Sequence, residues 1–174
     1  PFVVAYPDDL MPDPPCAGQL IETWRATVTP EHPRGCSVLS VLDMSGQDVS
    51  RYGVVDAELR GGHRFVRRMM EKPRPGSEPS HLVSLGRYLY TPDIFPVLHE
   101  LARAPRDGEF YQTEPINRLA DRGLVVAQPY SGQRYDTGEP IGYIKTIVAM
   151  ALSRPEYQAE LSSYLNTLSL TGSL

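Results

Sequence analysis

Apolar residues fall along the chain in short blocks separated by clusters of proline, glycine, serine and aspartate. Blocks of this kind bounded by turn residues predict strands. They cover Phe2–Tyr6, Ser37–Leu42, Tyr52–Val55, Phe65–Met70, Leu82–Tyr90 and Leu124–Tyr130. The first is apolar at every position, the pattern of a strand buried on both faces in the middle of a parallel sheet. A central strand needs neighbours on both sides, so this run, beginning almost at residue one, is expected to come from the later part of a longer polypeptide. Gly86, inside the Leu82–Tyr90 run, predicts a bulge or a close backbone approach.

Elsewhere the apolar positions recur at helical spacing. Helices are predicted from Gln19 to Ala26, through Ile94, Phe95, Leu98 and Leu101, and through Ile116, Leu119 and Ala120 with Gly123 as the stop. Thr91 suits the N-cap of the second of these and Pro92 its first helical position. Ile141 to Ser153 reads as a further helix, and Pro155 to Leu168 as an amphipathic one with Leu161, Tyr164 and Leu165 inward. Strands alternating with helices predict an α/β fold.

Composition narrows the function classes. The chain has 174 residues, 41% hydrophobic and 22% charged, which suits one globular domain over 1–174, with 155–174 as a helical tail. A net charge of -4 with no basic stripe argues against nucleic acid and anionic lipid as partners. No apolar run reaches the roughly 20 residues that cross a bilayer, and the start lacks a secretion signal, so no membrane partner and a cytoplasmic location are expected. Cys16 and Cys36 have no metal-ligand spacing and read as reduced and structural. His32, His63, His81 and His99 are scattered singly and read as surface or partly packed side chains.

Candidate chemistry sits at the ends of the predicted strands. Glu71-Lys72-Pro73 pairs a hydroxyl acceptor with a phosphate-binding charge on a backbone restricted by proline. A solvated charge pair before a turn is the alternative. Asp8, in Pro7-Asp8-Asp9, lies just beyond the carboxyl end of a strand, where open α/β sheets keep their ligands, though an aspartate-rich turn would look the same. Asp136, in Tyr135-Asp136-Thr137-Gly138, is a second carboxylate on a predicted loop and could equally just start the turn.

Taken in order, Pro-Asp-Asp after an apolar strand, Tyr52-Gly53-Val54-Val55-Asp56, Glu71-Lys72-Pro73, Gly86-Arg87-Tyr88, Gly108-Glu109 with Gln112-Thr113, and Tyr135-Asp136-Thr137-Gly138 with Gly142-Tyr143 resemble the bacterial UTP–glucose-1-phosphate uridylyltransferases. The resemblance runs from about Pro1 to Tyr164. It implies a Rossmann-like nucleotidyltransferase core, a mixed sheet flanked by helices, incomplete at its N-terminal side, in which the phosphate oxygen of glucose 1-phosphate attacks the α-phosphorus of UTP to give UDP-glucose and pyrophosphate. By that match Asp8 and Asp136 would hold magnesium and Glu71 would accept hydrogen bonds from the glucose hydroxyls. Lys72 would bind the sugar phosphate, Gly53 would offer its backbone to the sugar, and Gly86 would line the same pocket. Asp8, Lys72 and Asp136 are the expected catalytic residues; the expected partners are UTP or UDP-glucose, glucose 1-phosphate and further copies of the chain.

Departures from the family pattern set the alternatives. Tyr111 and Glu114 differ from the usual residues around Gln112, which makes that glutamine an uncertain site. No Gly-x-Gly-Thr-Arg, the loop by which this family grips the triphosphate, occurs in residues 1–174, so little or no turnover is expected of this chain alone. A non-catalytic sugar-phosphate-binding or self-association module is one alternative. A thymidylyl- or other sugar-1-phosphate nucleotidyltransferase is another, since Glu-Lys-Pro and Asp-x-Gly occur across those relatives.

Overall fold

A computed structural model describes residues 1–103 and 110–170. Gly108 and Glu109, part of one motif, and the last four residues of the tail lie outside the described residues. In chain order the elements are β1 (Phe2–Ala5), β2 (Asp9–Leu10), α1 (Cys16–Ala26), β3 (Ser37–Asp43), β4 (Gly53–Arg60), β5 (His63–Glu71), β6 (Leu82–Tyr90), α2 (Ile94–Arg103), α3 (Thr113–Ala120), β7 (Val125–Pro129), β8 (Tyr135–Asp136), α4 (Pro140–Leu152) and α5 (Pro155–Leu170). They divide into two compact units, residues 1–6 with 12–133 and residues 7–11 with 134–174.

The first unit is built on a six-stranded sheet in the order β1-β6-β3-β7-β5-β4, with β4 also reaching β6 where Val54 stands opposite Val83. Among the described residues only β3 and β7 run parallel in this sheet, and its other pairings are antiparallel. Alternation along the strands separates the two faces. Ser40 and Gln128 point to α1, taking hydrogen bonds from Cys16 Sγ at 3.3 Å and Thr23 Oγ1 at 2.7 Å. Their neighbours Leu39, Val41, Val125 and Ala127 point the other way and pack with Ile94, Val97 and Leu101 of α2 and Ile116 and Leu119 of α3. Leu39, Ile116 and Leu119 are fully buried, each burial worth about 1.5–3 kcal/mol. The α/β expectation, a mixed sheet with flanking helices, is met.

The place of β1 is not as expected. It has only β6 beside it, antiparallel, with Phe2 opposite Tyr90 and Ala5 opposite Arg87, and Phe2 and Val3 are each 39% exposed. Among the described residues it is an edge strand, not a central parallel one. Hydrophobicity reports what covers the faces of a strand, whereas its rank in the sheet is decided by hydrogen bonds along its edges. Here Phe2 finds cover on one side, stacking on Phe95 at 5.5 Å and lying 6.0 Å from Tyr90.

Two smaller corrections have local causes. Helix α2 begins at Ile94, not Pro92, because the residues before it close a tighter turn, the Ile94 N–H donating to Thr91 O at 3.2 Å and the Phe95 N–H to Pro92 O at 3.1 Å, while the Thr91 hydroxyl donates to Asp93 and its N–H to Ser37 Oγ. In α5 Leu161 and Leu165 are half-buried but Tyr164 is 59% exposed. Both cysteines are buried free thiols, and burial pushes each upward, so the reactive thiolate is disfavoured.

The second unit pairs β2 with β8, Asp9 opposite Asp136 and Leu10 opposite Tyr135, and carries α4 and α5. Asp136 therefore lies on a short strand and not on the predicted loop. Gly142, in the first turn of α4, has no room for a side chain: a β-carbon there would collide with the Asp136 carbonyl oxygen.

Candidate functional site

In the first unit the candidate residues lie where β4 begins and β5 ends. Gly53 opens β4 directly opposite Glu71, the last residue of β5. A β-carbon at Gly53 would sit 3.2 Å from Glu71 Oε2 and press on Met69 Cε, so bare backbone and carboxylate share one spot. Lys72 follows with φ of 43°, the one non-glycine residue in the left-handed region among the described residues. That conformation costs an L-residue about 1–2 kcal/mol, and the following proline favours an extended backbone at Lys72 instead. The surroundings hold it there: the Lys72 N–H donates to Tyr52 O at 3.0 Å, and Pro73 is buried. Strain of this kind, held by its neighbours, concentrates at functional sites.

A residue that the sequence did not single out steadies this corner. Asn117 of α3 grips the β5 backbone at Met69, accepting from its N–H at 2.7 Å and donating to its carbonyl at 2.9 Å. Glu71 is two residues further on. Nothing in the linear pattern marks Asn117, since an asparagine in a helix turn reads as surface.

Gly86 has φ of 61° and stands at an irregularity in the β3–β6 pairing, where Leu39 faces Tyr88 but Val41 faces Ser84. Bulge and close approach are both present: a β-carbon at Gly86 would lie 3.0 Å from Tyr6 Cδ2, and Tyr6 N–H donates to Gly86 O at 3.0 Å. Gln112 joins the same group, accepting from the Tyr6 hydroxyl and donating to the Tyr90 hydroxyl. Burial pushes the Tyr90 phenol far up, with Tyr88 adding to it and Gln112 opposing, so Tyr90 stays protonated. A cavity of about 300 Å³ beside these residues is lined by Phe2, Val4, Tyr90, Leu98 and Phe110 and reaches none of Gly53, Glu71 or Lys72. Gly53, Glu71 and Lys72 thus adjoin, while Gly86 lies against Tyr6 and Arg87.

In the second unit the two expected metal ligands are brought together. Thr137 ties them, its N–H and its hydroxyl each donating to the Asp8 carbonyl at 2.8 Å. A β-carbon at Gly138 would lie 3.4 Å from Asp136 Oδ1 and 3.7 Å from Asp8 Oδ2, so both carboxylates converge on that point. Asp8 is exposed, whereas its neighbour Asp9 is buried and ion-paired with Arg134 at 2.8 Å. Burial pushes the Asp9 carboxyl up, Arg134 pulls it back, and the charges of Asp136 and Asp8 push it further up. Of the Asp-Asp doublet, then, the second member is structural and the first is the available one. Among the described residues no three His, Cys, Asp or Glu side chains group to hold a metal. Two carboxylates with room for phosphate oxygens and water are, however, a donor set that fits magnesium.

The profile of the nucleotidyl transferase family matches residues 28–152, and the chain belongs to that family. It is 36% identical over 172 residues to a UTP–glucose-1-phosphate uridylyltransferase of Staphylococcus epidermidis, covering 98% of this chain and 57% of that protein. Among solved structures it is similar to a UDP-glucose pyrophosphorylase from Acinetobacter baumannii, with a TM-score of 0.78 and 25% identity over 96% of this chain and 56% of the other. It is likewise similar to a UDP-glucose pyrophosphorylase complexed with UDP-glucose, with a TM-score of 0.74 and 31% identity over 88% of this chain and 57% of the other. The chain spans about half the length of the curated relatives it matches. The resemblance drawn from the motifs is borne out by these likenesses.

Proposed function

We propose that this chain carries the sugar-phosphate-binding and metal-binding residues of a UTP–glucose-1-phosphate uridylyltransferase, the reaction that joins UTP and glucose 1-phosphate into UDP-glucose and pyrophosphate. The observation that carries the reading is the corner where Gly53 faces Glu71 and Lys72 is held in a left-handed backbone beside them. Glu71 accepts hydrogen bonds from glucose hydroxyls, Gly53 leaves room for the ring against the backbone, and Lys72 meets the phosphate as a point charge. Gly86, on β6 against Tyr6, is proposed as a further lining residue of the sugar pocket.

Nucleotidyltransferases generally use a divalent metal, and magnesium is the ion proposed here, held by Asp8 and Asp136. When bound it neutralises phosphate charge, which is the main requirement of phosphoryl-type transfer. Positioning and charge suffice for such chemistry, so no histidine or cysteine base is called for. Calorimetric titration of the purified chain with UDP-glucose and magnesium tests the reading. Saturable binding, weakened at least about 10-fold by Asp8→Ala, is the expected result; no heat from a well-folded chain would sink it.

One domain over 1–174 with 155–174 as its tail, and a homo-oligomer, belong to the same proposal. Support for association comes from the exposed apolar side chains Ile141, Ile144 and Ile147 on α4 and from the edge strand β1. Sedimentation velocity is expected to give a species larger than 19.4 kDa, and thermal unfolding a single transition. A lone monomer peak, or two separate transitions, would remove the corresponding part.

A further inference from the structure

The two carboxylates assigned to magnesium stand on a very slight scaffold, since β2 and β8 are two residues each. A ladder that short fixes backbone but leaves a side chain free to turn. What fixes Asp136 is Arg134. Its Nη2 donates to Asp136 Oδ2 at 3.2 Å, and its Nε faces Asp9 Oδ1 at 2.8 Å, both of the latter atoms being sealed from solvent. The other Asp136 oxygen, Oδ1, accepts the Gly138 N–H at 3.0 Å. Each oxygen of Asp136 is thus taken once from the protein side, and each keeps acceptor capacity for a cation.

A guanidinium beside a metal ligand would by its charge alone oppose cation binding. Here Asp9 offsets that charge from its buried position, with the side chain of Arg134 itself only 16% exposed. The planar fork then acts mainly through geometry, spanning two carboxylates as a lysine ammonium on a flexible stem does not.

We propose that Arg134 is a positioning residue for Asp136: anchored on the buried Asp9, its guanidinium holds the Asp136 carboxylate in the orientation that shares a cation with Asp8. This rests on the magnesium reading of Asp8 and Asp136 given above. Outer partners of metal ligands typically account for 10–100-fold in metal affinity.

The test compares the full chain with Arg134→Lys, which keeps the charge, and Asp9→Asn, which keeps the shape of the anchor. Two readouts are taken, manganese affinity by electron paramagnetic resonance and hydrogen exchange of the Gly138 amide by NMR. Both variants are expected to unfold cooperatively as the parent does, to bind manganese about 10-fold more weakly or worse, and to exchange the Gly138 amide faster as its acceptor swings away. A residue that merely staples β2 to β8 would lower the melting temperature without moving manganese affinity in the folded protein. Parental manganese affinity in folded Arg134→Lys, or an unchanged Gly138 amide, overturns the proposal. If the parent chain takes up no manganese, the magnesium reading fails by itself, and the Gly138 amide alone then decides whether Arg134 orients Asp136.

Discussion

Changing Lys72 to glycine is expected to leave stability within about 1 kcal/mol of the parent while weakening the binding of glucose 1-phosphate by about 10-fold or more. The two halves of that expectation have separate causes. Lys72 occupies the left-handed region at φ of 43°, where a side chain is a burden and glycine is at ease. Relief of that strain offsets the extra freedom that glycine adds to the unfolded chain, so the net change is small. Binding loses a charge-assisted contact with the phosphate, worth about 1.5–3 kcal/mol. Lys72→Ala keeps the backbone strain and loses the same contact, so it should be no more stable than Lys72→Gly and bind equally poorly. Chemical denaturation and titration with glucose 1-phosphate separate the two effects. A Lys72→Gly chain that binds as the parent does would show that the ammonium does not meet the phosphate.

That experiment also marks where sequence reasoning ended. Glu71 and Lys72 were expected at a strand end, and β5 does end at Glu71; the left-handed backbone at Lys72 was not foreseen, since a lysine before a proline predicts an extended residue. The helices and strands were legible because apolar spacing reports which face is covered. The rank of β1 in the sheet was not, because that depends on edge hydrogen bonds with distant residues such as Gly86 and Tyr90. Asp8 and Asp136 could be named as a pair only through the family resemblance, since they stand 128 positions apart in the chain. Asp9 and Arg134 stood beside them unremarked, although an Asp doublet and an arginine two positions before an aspartate were visible signs. Asn117 had no such sign, since its role arises from a helix packed against a strand far off in sequence.

Gly142 gives the sharpest contrast between a helix propensity and its surroundings. It is the third residue of α4, as Gly18 is the third residue of α1. By propensity alone, alanine at either place should stabilise by about 0.5–1 kcal/mol. At Gly18 nothing lies within 4 Å of the would-be β-carbon, and Gly18→Ala is expected to gain up to that amount. At Gly142 the β-carbon would run into the carbonyl oxygen of Asp136, which is backbone and cannot swing aside as a flexible side chain would. Overpacking of this kind costs about 1–3 kcal/mol, so Gly142→Ala is expected to destabilise, reversing the sign. The cost falls on the residue that would hold the metal, because relief requires either α4 or Asp136 to move. Gly142→Ala should therefore also lower manganese affinity, while Gly18→Ala leaves it alone. Urea denaturation of the two variants beside the parent reads both signs; equal stabilisation by both alanines would mean that α4 does not press on Asp136 in solution.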